Sequence, residues 1–156
     1  MPAGTPEDSV SLTIDATPAA LYELVSDVTK MGRLSPECTG GRWLGRAKGP
    51  TVGARFVGFN RRGIVWWCTL NKVVIAEPGC DFAFATGGSG IRWRYRFKPT
   101  DGVGTVVTES REEWKPRPLS ARLFTRFALG GVPEHEDEMR DGMRATLERL
   151  RQLAEK

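Results

Sequence analysis

At 156 residues, with 40% hydrophobic and 27% charged side chains, the chain has the composition of a soluble globular protein long enough to bury a core. Its net charge is +4 and its pI near 9.2, with basic residues distributed along the chain rather than gathered in a run, which argues against a nucleic-acid-binding role. No apolar segment reaches the ~20 residues of a membrane-spanning helix and no secretory h-region is present, while three cysteines without a C-x-x-C pair point to reduced thiols in a cytoplasmic protein.

Residues 1–7 read as a disordered lead-in and 8–156 as a single domain. Val10, Leu12 and Ile14 alternate with Ser9, Ser11 and Thr13, the pattern of a strand with one wet face. Thr17-Pro18 is an N-cap followed by a first helical residue, and Leu21, Leu24, Val25 and Val28 give a short helix one apolar face. A second short helix carrying Met31 and Leu34 ends before Pro36. From Gly41 to Trp114 the period is two, predicting strands at Arg42–Leu44, Ala54–Asn60, Val65–Ala76, Phe82–Ala85, Ile91–Lys98 and Thr105–Trp114. Turn residues such as Arg62-Gly63, Pro78-Gly79 and Asp101-Gly102 separate them, so neighbours pair antiparallel.

Leu119 to Leu129 reads as a helical segment that either hinges over the interior or marks a fixed kink before Gly130-Gly131. Pro133 restarts the helix, and Glu134, Glu136, Asp137 and Glu138 fill its first turn, where the helix dipole favours acids. Met139, Met143, Leu147 and Leu150 then form one apolar stripe, with Ala154 continuing it. The predicted class is α+β: a curved seven-stranded antiparallel sheet wrapped around a long C-terminal helix, with two short helices after the first strand.

The element order, with Ser35-Pro36-Glu37, Gly53-Ala54-Arg55-Phe56, Gly58 and Asn60, Trp93-Arg94-Tyr95 and Thr108-Glu109-Ser110, resembles the START-related superfamily with the helix-grip fold. Within it the chain looks most like the bacterial polyketide cyclase/dehydrase and lipid transport (SRPBCC) proteins. The resemblance implies an internal hydrophobic cavity, and its members include lipid carriers, aromatase/cyclases, ring-hydroxylase subunits and protein-binding modules. It carries over no shared catalytic set, and the chain has no Rieske-type cysteine and histidine pairs.

Three functions follow as expectations. The first is binding or transport of a small hydrophobic or aromatic molecule, lipid or polyketide-like, without a cofactor or metal. The second is a cyclase/dehydratase-type enzyme using the same cavity. The third is a protein-interaction module. Ligand-binding candidates are Asn60, Trp67, Trp93, Tyr95, Glu109, His135, Met139 and Met143. His135, the one histidine, shares the stripe of Met139 and is either a polar anchor and candidate catalytic acid/base or a helix cap. The His135-Glu136 start of a zinc-protease motif is broken because Met139 stands where its second histidine belongs. Asn60 shares parity with Phe56 and Gly58, so its amide meets either a ligand oxygen or backbone at the Arg62-Gly63 turn. Glu109 and Arg111 share one face of the last strand, and the pattern leaves open whether that face is inside. Glu37 lies either at a cavity rim or on plain surface. Adjacent Trp66 and Trp67 face opposite sides, and the outward one is either covered by another element or a homodimer contact.

Overall fold

Period-two alternation becomes a single sheet because every connection from β2 onward is too short for anything but an antiparallel return. The computed structural model describes residues 8–88, 90–113 and 132–155, with side chains of the C-terminal helix described from Arg140 onward. The strands are β1 (Asp8–Ile14), β2 (Cys38–Trp43), β3 (Arg55–Arg62), β4 (Val65–Glu77), β5 (Asp81–Thr86), β6 (Ile91–Pro99) and β7 (Thr105–Glu113). They order as β1-β7-β6-β5-β4-β3-β2, so the first strand crosses to lie beside the last. A bulge in β4 between Val73 and Ile75 bends the middle of the sheet.

Between β1 and β2 lie α1 (Pro18–Ser26) and a 3-10 helix (Val28–Arg33). Thr17 caps α1 by accepting a hydrogen bond from the Ala20 amide at 3.2 Å, and Asp27 caps the 3-10 helix by accepting from the Thr29 amide at 3.2 Å. The C-terminal helix α2 (Val132–Ala154) buries Met143, Thr146, Leu147 and Leu150 and leaves Arg140 and Arg144 outside. The apolar stripe therefore faces the sheet, which grips the helix as the alternation and the stripe together require. Its far end is tied down where the Asp15 amide donates to Glu155 Oε2 at 2.9 Å.

Strand ends shift by one or two residues from the sequence reading at β3–β6, and most at β2. β2 was expected at Arg42–Leu44 but runs Cys38–Trp43. Thr39-Gly40-Gly41 shows no apolar alternation, and Gly41 serves backbone approach instead. A Cβ on Gly41 would lie 2.6 Å from the Val28 carbonyl oxygen, so only glycine lets the 3-10 helix rest on this strand. The expected end of the last strand at Trp114, and the segment Leu119 to Leu129, lie outside the described residues.

Candidate functional site

The inner face of the sheet changes character along β3, β4 and β5 and at Trp93 of β6, beyond which Ile91 is buried again. Near α1, Phe97 and Tyr95 of β6, Phe82 of β5, Val73 and Asn71 of β4 and Phe56 of β3 are buried. Towards the β3–β4 and β5–β6 hairpins, Trp93, Phe84, Thr69, Trp67 and Asn60 on the same face are only half-buried. Cross-strand register makes these positions one surface: Phe84 opposes Trp93, and Asn60 opposes Trp67. Among the described residues, helix α2 lies chiefly over β1 and also meets β7. The result is a half-buried, aromatic stretch of the concave face, a hollow in the sense of the sheet's own curvature. Its floor is a run of edge-on or tilted contacts, Trp43 to Phe56 at 5.5 Å, Phe56 to Phe84 at 5.1 Å and Phe84 to Phe82 at 6.0 Å.

One wall of the hollow is polar. The Asn71 amide donates to Thr69 Oγ1 at 3.0 Å, and its carbonyl accepts from Thr86 Oγ1 at 2.8 Å. Because Thr69 Oγ1 already accepts, its hydroxyl proton is left to donate elsewhere. Gly58 makes room for this arrangement, since a Cβ there would stand 2.8 Å from Thr69 Oγ1 and 3.3 Å from Asn71 Nδ2. Asn60 Nδ2 reaches the Gly58 carbonyl at 3.5 Å, a long and weak bond. Its described partner is thus Gly58 and not the Arg62-Gly63 turn, where the Gly63 carbonyl accepts from Arg61 Nε at 2.7 Å. Thr69, Asn71 and Thr86 were not singled out from sequence, although Thr69 and Asn71 share the parity of Trp67.

The opposite wall resolves which face of β7 is inside. Glu109 and Arg111 both point inward and are buried, Glu109 between Val10 and Tyr95. Tyr95 Oη donates to Glu109 Oε2 at 2.8 Å. Oε1 has no hydrogen-bond partner among the described residues. Burial pushes the Glu109 carboxyl from 4.5 up to about 8, the Tyr95 hydrogen bond opposing this only in part, so the group is predominantly protonated at neutral pH. The Tyr95 hydroxyl is raised well above its ordinary value by burial first, then by the charge of Glu109 and their hydrogen bond.

The structure thus places Asn60, Trp67, Trp93, Tyr95 and Glu109 on the concave face and buries Met143 on α2. His135 and Met139 lie in α2, but their side chains fall outside the described residues. Glu37 is half-buried at the turn entering β2, where its carbonyl accepts from the Arg61 amide at 2.9 Å. On the convex face the cationic row of β6 is paired: Arg92 Nε donates to Glu112 Oε1 at 2.7 Å and Arg94 Nε to Asp81 Oδ1 at 3.0 Å. Trp66 also faces out, is 61% exposed, and carries the Arg61 guanidinium 4.7 Å above its ring.

A separate cleft of about 540 Å³ opens outside α1, among Tyr22, Glu23, Trp43, Lys48, Pro50 and Gly79. It borders the packed α1 end, with Trp43 and Tyr22 as its aromatic groups and Glu23 and Lys48 as charged ones, and it does not reach Asn60, Trp67 or Trp93.

The family model for polyketide cyclase / dehydrase and lipid transport matches residues 7–155. A Polyketide_cyc-like protein from Corynebacterium glutamicum is 31% identical over 93% of this chain and 89% of its own, with a TM-score of 0.60. A START superfamily protein from Mycobacterium smegmatis shares the fold at 14% identity, covering 94% of this chain and 95% of its own, TM-score 0.67. The di-domain ARO/CYC StfQ of the steffimycin biosynthetic pathway does so at 16% identity, over 94% of this chain and 49% of its own, TM-score 0.71. No curated protein matches the chain.

Proposed function

The chain belongs to the polyketide cyclase / dehydrase and lipid transport family, and from that premise we propose that it binds a small hydrophobic, oxygen-bearing aromatic molecule in the hollow of the sheet. Residues 8–156 act as one binding unit in this reading. The observation that carries it is the graded inner face: aromatic surface stays accessible at Trp93, Phe84 and Trp67, where a protein with nothing to bind would pack it. Apolar burial at about 25 cal/mol per Å² supplies the affinity. The Thr69 hydroxyl and the Asn60 amide supply orientation by donating to a ligand carbonyl or phenol oxygen. Met143, and His135 and Met139 from the first half of α2, complete the proposed lining. The three free cysteines support a reducing, cytoplasmic setting.

Native mass spectrometry of the purified protein tests this reading. An additional small organic mass that denaturation releases is expected. A bare chain that also fails to bind prodan, a neutral aromatic ketone with environment-sensitive emission, would contradict it.

The Tyr95–Glu109 pair favours a second reading, dehydrative cyclisation of a poly-carbonyl substrate. A buried carboxylic acid kept protonated beside Tyr95 is suited to protonate a departing hydroxyl, with His135 the candidate base. Loss of turnover of a poly-β-carbonyl thioester in both Glu109→Gln and His135→Ala, with fold retained, is the expected result. Unchanged turnover in both excludes these two residues from the chemistry, and absence of turnover in the wild type leaves the carrier.

A further inference from the structure

We propose that the β3–β4 hairpin docks this protein on an anionic lipid surface. This goes beyond ligand binding in the hollow and holds whether or not the hollow is filled. The charge of the chain is divided unevenly. Residues 38–76 contain Arg42, Arg46, Lys48, Arg55, Arg61, Arg62 and Lys72 and no aspartate or glutamate, while the remaining sixteen basic residues are outnumbered by nineteen acidic ones. Folding gathers this acid-free stretch into one edge of the sheet, β2–β3–β4.

The same edge exposes apolar groups in a continuous row. On the convex face Phe59 opposes Cys68, Val57 opposes Leu70 and Arg61 opposes Trp66. Phe59 is 39% exposed, Leu70 52% and Trp66 61%, and Ile64 at the tip of the hairpin is 93% exposed. An isoleucine held at the apex of a tight turn gains nothing in water. It is placed to enter a hydrocarbon layer first, with tryptophan at interface depth and guanidinium groups at the headgroups. Arg55 and Lys72 pair across the strands at the far margin of the row, so cations bracket the apolar groups.

The combination selects among occupants. Nucleic acid would satisfy the cations but leave Ile64 and Leu70 in water. A second copy would bring two cationic rims together. An anionic bilayer meets both demands. Asn60 and Trp67 lie on the inner side of this hairpin, so docking would set the accessible end of the hollow against the membrane.

Co-sedimentation of the full chain with phosphatidylcholine vesicles, with and without phosphatidylserine, tests the proposal. Binding is expected only with phosphatidylserine, and weaker as salt shortens the screening length. Ile64→Glu, at a position too exposed to matter for folding, is expected to weaken it about tenfold or more, and Arg61→Ala about fivefold. A blue shift in tryptophan emission on vesicle addition, lost in Trp66→Phe, is the expected second readout. Absence of binding at low salt, indifference to Ile64→Glu, tight binding of duplex DNA in place of vesicles, or a dimer that Ile64→Glu dissociates without any vesicle binding would each overturn it.

Discussion

Phe97, Phe82, Val73 and Phe56, at the α1 end of the concave face, are at most 5% exposed, whereas Trp93, Phe84, Trp67 and Asn60, a few residues further along the same strands, stay half-buried. Both ends are built by the same alternation and from similar side chains. What differs is the cover. At the α1 end, Tyr22 packs edge-on against Phe82 and Phe97, with ring centroids 6.1 and 5.9 Å apart, and Leu147 and Leu150 close the space above. Helix α1 and the C-terminal half of α2 thus cover one end of a curved sheet more fully than the other. Whether an inner-face aromatic is packed into the core or left half-buried therefore follows the cover above it.

Truncation on the two sides sharpens the contrast most. Phe82→Ala is expected to cost about 3–5 kcal/mol in urea unfolding, the price of a core cavity. Trp93→Ala should lose under about 2 kcal/mol yet abolish prodan binding. Equal destabilisation by the two would mean the hairpin end is packed solid, and the comparison would fail.

Glu109 sits at the border between the ends, and its effect is next in size. Because its folded pKa of about 8 lies above the ordinary 4.5, the folded state holds the proton more tightly. This group's stabilising contribution is therefore full below pH 4.5, falls as pH rises towards 8 and is level beyond. Glu109→Gln should remove that dependence and unfold later than wild type at pH 9, by on the order of 4 kcal/mol. Parallel pH profiles for the two proteins would show that the carboxyl is not held protonated.

Smaller effects belong to the polar wall. Gly58→Ala pushes a methyl towards Thr69 Oγ1 and should cost about 1–2 kcal/mol while weakening prodan binding. Asn60→Leu should leave the thermal midpoint almost unchanged and lower prodan affinity about fivefold, the worth of one hydrogen bond. A stability loss in Asn60→Leu as large as in Gly58→Ala would assign Asn60 to the core.

The helix-grip arrangement was legible because the strands of its middle alternate cleanly, Ile91, Trp93, Tyr95 and Phe97 above all, and because the α2 stripe has helical spacing. The inner position of Trp93 and Tyr95 followed from the same parity. Glu109 and Arg111 could not be placed, since β7 carries polar residues on both faces, with Thr105 inside and Thr108 outside. Thr69 and Asn71 escaped notice for the converse reason. Both faces of β4 are apolar near Trp66 and Trp67, and its inward side is set only by register with Gly58 and Phe84. The cationic edge was obscured because its arginines are dispersed in sequence and brought together only by strand pairing.

The most direct test of a sealed end and a receptive end is an amide chemical-shift titration of the labelled protein with prodan. The account predicts shifts at Asn60, Trp67, Thr69, Phe84 and Trp93 and silence at Val73, Phe82 and Phe97. Shifts confined to the cleft around Tyr22 and Lys48, or to the convex face at Phe59 and Leu70, would contradict it.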